Sequence, residues 1–323
     1  MRLSYSLGSL LTINQILECS KKLNKFKPDT LWIPETWGME NFSMLSLACM
    51  ENKFSKIGSS IINIYSRSPS LIAMGAATVD TISNKRLVLG LGTSTKPLIE
   101  DFHGEKFEKP VKRMKEYVEI IRLILTGKQI NYSGEIFLLK NFSLLIKPPR
   151  DSIPIYLAAV NQKMVELTWK IADGVIFYLR PKNEIKSTLA RMQNEKKIDT
   201  TLQIITCVNE DSEKAIARAK RTLAFYVSVG KIYREFLASH GFKNETKNIF
   251  EEYENNGLEN NHEFVPDSMV NELCIAGTQN ECRTQLKQFR ETGIDLPIIQ
   301  FNPTDNVEDS FNLVTTTFSE ESD

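Results

Sequence analysis

The clearest indication of the fold lies in residues 56–92, KIGSSIINIYSRSPSLIAMGAATVDTISNKRLVLGLG. This stretch begins and ends with nearly continuous apolar runs, Lys56–Ile64 and Arg86–Gly92, which are typical of strands covered on both faces of a parallel sheet. Between them Pro69 lies near a helix start, where a missing N–H is tolerated. Apolar residues then recur at helical spacing, at Leu71, Met74 and Ile82. The stretch therefore predicts a strand–helix–strand unit.

Similar strand-like runs occur along the rest of the chain. They are Leu3–Gly8, Thr30–Pro34, Ile153–Val160, Gly174–Leu179, Thr201–Asn209 and Leu296–Phe301. Helical patterns separate them; the clearest carries an apolar stripe over Val111–Leu125, with charged residues such as Glu116 on its other faces. Eight such strands alternating with helices predict the α/β class and a (β/α)8 TIM barrel formed as one domain by residues 1–323. A doubly wound sheet is the alternative.

Two insertion segments interrupt the alternation, at about residues 128–150 and 238–266. The first contains turn signals within Ile130–Ile146 and predicts a β-hairpin. The second is polar and rich in Asn and Glu, which indicates a mobile lid or a solvated excursion. The tail after Asn306 is expected to fray.

Composition excludes several classes of partner. Forty basic and forty acidic residues cancel, and the sequence pI is about 6.9. A neutral chain does not favour nucleic acid or an anionic membrane. No apolar run approaches the roughly 18 residues of a membrane helix, and the N-terminus lacks secretory-signal features. Five dispersed cysteines without a C-x-x-C pair indicate reduced thiols and a cytoplasmic protein. The expected partner is a small molecule.

In a barrel, reactive residues lie at the carboxyl ends of the strands. The candidates are Gly8, Ser9, Glu35, Thr36, Trp37, Ser60, Ile61, Asn63, Gly92, Thr93, Ser94, Ala158–Asn161, Tyr178, Arg180, Gln300 and Asn302. None of the three histidines is among them or at metal-ligand spacing, so no metal site is predicted. The run GLGTST lacks the third glycine of a dinucleotide fingerprint. Backbone amides, hydroxyls and one carboxylate favour chemistry carried by a bound coenzyme.

Ser59–Ser94 strongly resembles strand three to strand four of the bacterial luciferase-like superfamily, in the branch that uses the deazaflavin coenzyme F420. Leu31–Leu45, Glu100–Leu125 and Ile153–Ile176 continue the resemblance in the same order. Relatives in that branch include methylenetetrahydromethanopterin reductases. The resemblance implies a homodimeric oxidoreductase that transfers a hydride between the deazaflavin and an imine or iminium, carbonyl or alkene carbon. The alternatives are an FMN-dependent luciferase-like monooxygenase and a non-catalytic coenzyme-binding protein.

The resemblance also implies residue roles. Glu35 matches an acidic, catalytic position near the pyrimidine end of the deazaflavin ring, although a carboxylate that caps a helix is the alternative. The bond between Ser60 and Ile61 matches a non-prolyl cis peptide whose bulge backs the ring, with Asn63 on the same strand. The remaining cofactor-binding positions match those that hold the coenzyme's phosphate tail, namely Gly92, Thr93, Ser94, Ala159, Val160 and Asn161.

The chain departs from its relatives at several positions. Sugar-phosphate dehydrogenases of the superfamily have an acid–base pair where this chain has Thr36 and Thr95, which makes sugar phosphates poor candidate substrates. Asn161 replaces a common glycine, and asparagine tolerates the left-handed backbone that a glycine would adopt. His103 matches a loop histidine of the relatives, without an expected catalytic role.

Overall fold

A computed structural model describes residues 2–319. Its strands are β1 (Ser4–Ser6), β2 (Thr30–Ile33), β3 (Lys56–Ser59), β4 (Ile62–Asn63), β5 (Leu87–Gly92), β6 (Ile130–Ser133), β7 (Leu138–Phe142), β8 (Ile155–Ala158), β9 (Gly174–Tyr178), β10 (Asp199–Val208), β11 (Cys274–Gly277) and β12 (Leu296–Phe301).

The α-helices of the described residues are α1 (Ile13–Lys22), α2 (Asn41–Glu51), α3 (Pro69–Ile82), α4 (Pro110–Leu125), α5 (Gln162–Ile171), α6 (Lys182–Met192), α7 (Ser212–Val229), α8 (Lys231–Ser239), α9 (Lys243–Asn256), α10 (Asp267–Leu273), α11 (Gln279–Arg290) and α12 (Val307–Ser319). Short 3-10 helices cover Leu23–Lys25 and Asn261–Phe264, and a π-helix covers Leu98–Phe102. No helix among residues 2–319 has the length and apolar character needed to cross a bilayer.

The chain forms two compact units, of which one comprises residues 12–176. Its parallel strands lie in the order β2, β3, β5, β8, and β4 also pairs with β5. Every residue of β5 is buried, as the apolar run predicts. Gly90 is required at its centre, because a β-carbon there would lie 1.8 Å from the carbonyl oxygen of Ser59. Helix α3 begins where predicted, with Pro69 in its first turn and the Ser68 hydroxyl capping the Leu71 N–H.

The other unit comprises residues 1–11 and 177–323. Its parallel strands lie in the order β11, β10, β12, β1. Buried residues of α7 to α10 pack into one apolar cluster with β10 and β11, including Leu223, Val227, Leu237 and Ile249. Strand β11 was not predicted, because its four residues follow α10 without any turn signal.

The fold is a (β/α)8 TIM barrel of parallel strands with surrounding helices, which confirms the predicted fold class. All eight predicted strand segments contain a strand. The doubly wound alternative is not adopted.

A hairpin lies between α4 and β8, where turn signals predict it. Strands β6 and β7 pair antiparallel. Glu116 of α4 anchors the turn between them, because its carboxylate accepts backbone N–H groups of Glu135, Ile136 and Phe137 at 2.9–3.2 Å. Glu116 is only 6% exposed, so its expected place on a polar helix face is wrong.

Residues 238–266, predicted to be a mobile lid or a solvated excursion, are mostly helical, and α9 buries Thr246 and Ile249. One further expectation differs from the structure. Residues 307–319 form α12, which buries Phe311, Val314 and Phe318, instead of fraying. The final four residues of the tail lie outside the described range.

Candidate active site

Strand β3 ends in an irregular segment at its carboxyl end. The peptide bond between Ser60 and Ile61 is cis, which confirms the prediction for this bond. The Ser59 hydroxyl donates to the Gly90 carbonyl and accepts from the Gly90 N–H, both at 2.8 Å, and so links the strand end to β5. Ile61 packs on Gly92, where an added β-carbon would lie 2.6 Å from two Ile61 side-chain atoms. The Ser60 hydroxyl is buried and has no hydrogen-bond partner among residues 2–319.

Glu35, at the carboxyl end of β2, forms an ion pair with Arg67. Its two carboxylate oxygens accept from Arg67 Nη1 at 2.9 Å and Nη2 at 2.6 Å, and Oε1 also accepts the Asn41 N–H at 3.1 Å. The side chains are 8% and 12% exposed. Burial alone would lower the pKa of Arg67, but hydrogen bonds and charge from Glu35 and Glu40 outweigh it and raise the pKa. Arg67 is therefore held as a cation between two carboxylates.

Glu40 is the more exposed of these two carboxylates. It lies 2.5 Å from Arg67 Nη2 with a side chain 46% exposed, and it caps α2 by accepting the N–H groups of Phe42 and Ser43. Partial burial alone would raise the pKa of Glu40. The hydrogen bonds from Ser43 and Phe42 and the charge of Arg67 outweigh burial, so the pKa of Glu40 is lowered. Glu40 is thus the N-cap of α2, while Glu35 forms the buried ion pair and also accepts the first N–H of the helix, that of Asn41.

Asn63 holds His103 in one hydrogen-bonding arrangement. The Asn63 amide oxygen accepts the N–H groups of Tyr65 and Ser66, each at 2.8 Å. Its amide nitrogen therefore faces His103 Nε2, at 3.2 Å. Because that nitrogen can only donate, Nε2 must accept, which places the His103 proton on Nδ1.

The carboxyl end of β5 lies beside Asn63 of β4. Gly92 is paired in register with Asn63 of β4. Thr93 and Ser94 are half-buried, and Ser94 adopts a left-handed backbone with φ of 57°. The π-helix Leu98–Phe102 follows, a rare element that is frequent at functional sites.

The loop after β8 leads into α5. Ala159 is buried, Val160 is half-buried, and Asn161 is the N-cap of the helix. Asn161 has φ of −83°, so the left-handed turn considered for it is not used. Instead its side chain accepts the Met164 N–H at 3.0 Å, which explains how asparagine is accommodated here.

The resemblance implied ten site residues, which are Glu35 and the nine cofactor-binding positions. All ten belong to the unit of residues 12–176, at or just after the carboxyl ends of β2, β3, β4, β5 and β8. Ile61 and Ala158 both lie near the position of a Gly92 β-carbon, so β3, β5 and β8 are brought together there. Arg67 was not predicted as the partner of Glu35, because only tertiary structure pairs residues so far apart along the chain.

Residues 2–296 match the model of the luciferase-like monooxygenase family. The chain belongs to that family. Among relatives of this luciferase-like chain is a 5,10-methylenetetrahydromethanopterin reductase of Archaeoglobus fulgidus, 31% identical over 82% of this chain and 83% of the relative.

Two solved structures share the fold of this luciferase-like chain. A coenzyme F420-dependent tetrahydromethanopterin reductase from Methanopyrus kandleri aligns over 100% of both chains with a TM-score of 0.88 and 20% identity. An F420-dependent secondary alcohol dehydrogenase, in complex with an F420-acetone adduct, aligns over 100% of this chain and 99% of its own, with a TM-score of 0.79 and 17% identity.

Proposed function

We propose that this luciferase-like chain is a coenzyme F420-dependent oxidoreductase that transfers a hydride between the deazaflavin and a small organic substrate. The observation that carries the proposal is the arrangement of Ile61 on Gly92 beside Ser60. Glycine at position 92 lets Ile61 lie close against the strand end, and its half-buried side chain offers an apolar face. The unpartnered Ser60 hydroxyl is suited to a hydrogen bond with a polar atom of a planar ring.

The surrounding residues fit the rest of such a coenzyme. Thr93 and Ser94 supply hydroxyls after β5, and Ala159 to Asn161 lead into the positive end of the α5 dipole, which suits a phosphate group. A bound deazaflavin supplies hydride chemistry, because carbon replaces the reactive nitrogen of the flavin ring. The chain's residues orient the ring and exclude water from its apolar side. FMN shares the planar ring and the phosphate, so the monooxygenase alternative stays open.

We further propose that Glu35 acts as a positioning residue rather than as a proton donor. Its carboxylate already accepts three N–H groups, two from Arg67 and one from Asn41. Such bonds stabilise the charged carboxylate and fix the guanidinium. Arg67 would then offer a fixed positive charge near the coenzyme.

The experiment is a single-turnover assay with purified protein and reduced deazaflavin. Substrates represent the three electrophile classes, with methylenetetrahydromethanopterin for the iminium class, a secondary ketone and an enoyl ester. The proposal expects oxidation of the coenzyme with one class at least tenfold faster than without protein. Reduced FMN and oxygen form a parallel arm, and an oxygenated product there would favour the monooxygenase. Coenzyme binding without turnover in any arm would favour the binding-protein alternative.

We infer that the protein forms a homodimer through the outer face of α3. The only charged residue of α3, Asp80, is buried and paired with Arg150 at 2.7 Å. Its outward residues include Leu71 and Met74, which are 48% and 51% exposed. Next to Met74, an apolar groove of about 320 Å³ runs along α4 and the β6–β7 hairpin. The outer face of α3 therefore carries no charge and exposes large apolar side chains, as many protein–protein interfaces do.

Light scattering tests this assembly. We expect a dimer for the wild type and a monomer for the double variant Leu71→Glu, Met74→Glu. A monomeric wild type would contradict the dimer.

A further inference from the structure

The loop of residues 93–102, which we call the β5 loop, leaves the sheet and returns to it at the same residue. At its start the Gly92 carbonyl accepts the Ile64 N–H at 3.0 Å, and Gly92 is in register with Asn63 of β4. At its end His103 Nε2 lies 3.2 Å from the Asn63 amide nitrogen. Both ends of the loop are therefore held beside Asn63, and the side-chain hydrogen bond with His103 closes the loop.

The Asn63 side chain is committed to this link. It is 3% exposed, and its oxygen accepts the N–H groups of Tyr65 and Ser66, each at 2.8 Å. These two bonds fix the orientation of the amide, so its nitrogen faces the end of the loop and can only donate. An acceptor is required opposite that nitrogen, and the imidazole of His103 supplies it.

A buried side chain gives the β5 loop a definite path between its two ends. Ile99, within the π-helix, is fully buried, and its N–H donates to the Thr95 carbonyl at 3.1 Å. The π-helix ends at His103, whose N–H donates to the Leu98 carbonyl at 3.2 Å. Ile99 therefore anchors the middle of the loop, while the His103 side chain determines where the loop ends relative to β4.

The first two residues of the β5 loop depend on this closure. Thr93 and Ser94 are half-buried and are the hydroxyls proposed to hold a phosphate group. Among residues 2–319, the Thr93 hydroxyl donates only to the Ser94 carbonyl, at 3.4 Å, and the Ser94 hydroxyl forms no hydrogen bond. No side-chain hydrogen bond from outside the loop fixes these two hydroxyls. Their position follows from the path of the loop and from how its ends are held.

Closing a loop before the ligand arrives increases the affinity for that ligand. An open loop of about ten residues samples many conformations, and the cost of bringing its ends together is entropic. A ligand that requires the closed form binds with an affinity reduced by the fraction of molecules in that form. One hydrogen bond changes such an equilibrium by about two- to tenfold. Loss of the His103 bond should therefore weaken binding of whatever the loop holds by a similar factor.

We propose that His103 is a positioning residue whose hydrogen bond with Asn63 holds the phosphate-binding hydroxyls of the β5 loop in place relative to the cis bulge. Asn63 follows the Ser60–Ile61 bond in β4, so the segments proposed to hold the ring and the phosphate of one coenzyme molecule meet at Asn63. His103 acts through the loop and not on the reacting atoms. The proposal rests on the proposed function and adds to it a residue that determines affinity for the phosphate part of the coenzyme.

The experiment compares binding of coenzyme F420 with binding of 5-deazariboflavin, which has the deazaflavin ring without a phosphate. Fluorescence titration of the full-length protein measures both affinities. His103→Leu removes the acceptor and should weaken F420 binding by about three- to tenfold, while 5-deazariboflavin binding stays unchanged. His103→Gln supplies an amide oxygen as acceptor and should restore most of the F420 affinity. His262→Leu, which replaces another half-buried histidine in the other unit, is the matched control and should leave both affinities unchanged.

Amide hydrogen exchange of the coenzyme-free protein is a second readout. The Ile99 N–H, which is bonded inside the loop, should exchange faster in His103→Leu than in the wild type, and His103→Gln should return it to the wild-type rate. Equal weakening of F420 and 5-deazariboflavin, an unchanged F420 affinity, or unchanged exchange at Ile99 would each overturn the proposal.

Two further outcomes are distinguished by the same measurements. If His103→Leu does not fold, His103→Asn takes its place, because its shorter amide does not reach Asn63. If the wild type binds neither F420 nor 5-deazariboflavin, the proposed function is refuted, whereas the exchange rates at Ile99 still decide whether His103 closes the loop.

Discussion

Replacing Glu35 with glutamine should destabilise the protein by about 2–3 kcal/mol. The carboxylate is 8% exposed on its side chain and accepts two N–H groups from Arg67 and one from Asn41. Breaking a buried ion pair from one side typically costs about 3–5 kcal/mol. Glu40 still neutralises Arg67 from 2.5 Å in the variant, which reduces that cost. For a chain of this size the loss corresponds to a melting temperature lower by about 3–4 °C.

Urea unfolding measures the change, and Glu40→Gln is the control. Glu40 is 46% exposed and serves mainly as an N-cap, so its replacement should cost about 1 kcal/mol or less. A double-mutant cycle of Glu35→Gln with Arg67→Met isolates the pair and should give a coupling above 1 kcal/mol. If Glu35→Gln and Glu40→Gln lower the free energy of unfolding equally, or if the cycle gives no coupling between Glu35 and Arg67, the stabilising role of the buried ion pair is refuted. Turnover lost at unchanged stability would instead show that Glu35 acts directly on bound ligand.

Three other outcomes are expected. Gly92→Ala should lower the free energy of unfolding by about 1–3 kcal/mol, because the added β-carbon displaces Ile61. The same variant should bind the coenzyme at least tenfold more weakly, and an unchanged affinity in a coenzyme titration would contradict this expectation. Nitrogen-15 NMR should show His103 protonated on Nδ1, and Asn63→Asp, which presents an oxygen to Nε2, should move the proton there. Burial raises the pKa of Tyr117 to about 12. The difference in unfolding free energy between the wild type and Tyr117→Phe should therefore be constant below pH 10, and the wild type should lose stability relative to the variant between pH 10 and 12.

The strands could be predicted from the sequence because burial on both faces leaves a direct signal. Runs such as Arg86–Gly92 contain few polar residues, and β5 is buried throughout. Strand β11 is only four residues long and follows a helix directly, so no pattern separates it. Helix α9 buries only Thr246 and Ile249, which is too few positions to give a visible helical period.

The site was predicted only in part because its polar contacts are tertiary. The resemblance placed the cis bond at Ser60 and Ile61, and composition could not have done so. A helical pattern places Glu116 toward water, but three backbone N–H groups of a distant turn bind it in a buried position. Arg67 was not predicted, because its contact with Glu35 depends on how β2 and the loop after β4 meet.

The proposed coenzyme is tested by measuring the affinity of the purified protein for the oxidised deazaflavin and comparing it with the affinity for FMN. Both carry a planar ring and a phosphate, but they differ in the reactive atom of the ring and in the group attached to the phosphate, and the residues proposed to hold both parts lie at the ends of β3, β5 and β8. We predict that deazaflavin binds at least tenfold more tightly, a difference of about 1.4 kcal/mol. Equal or tighter binding of FMN would contradict the account.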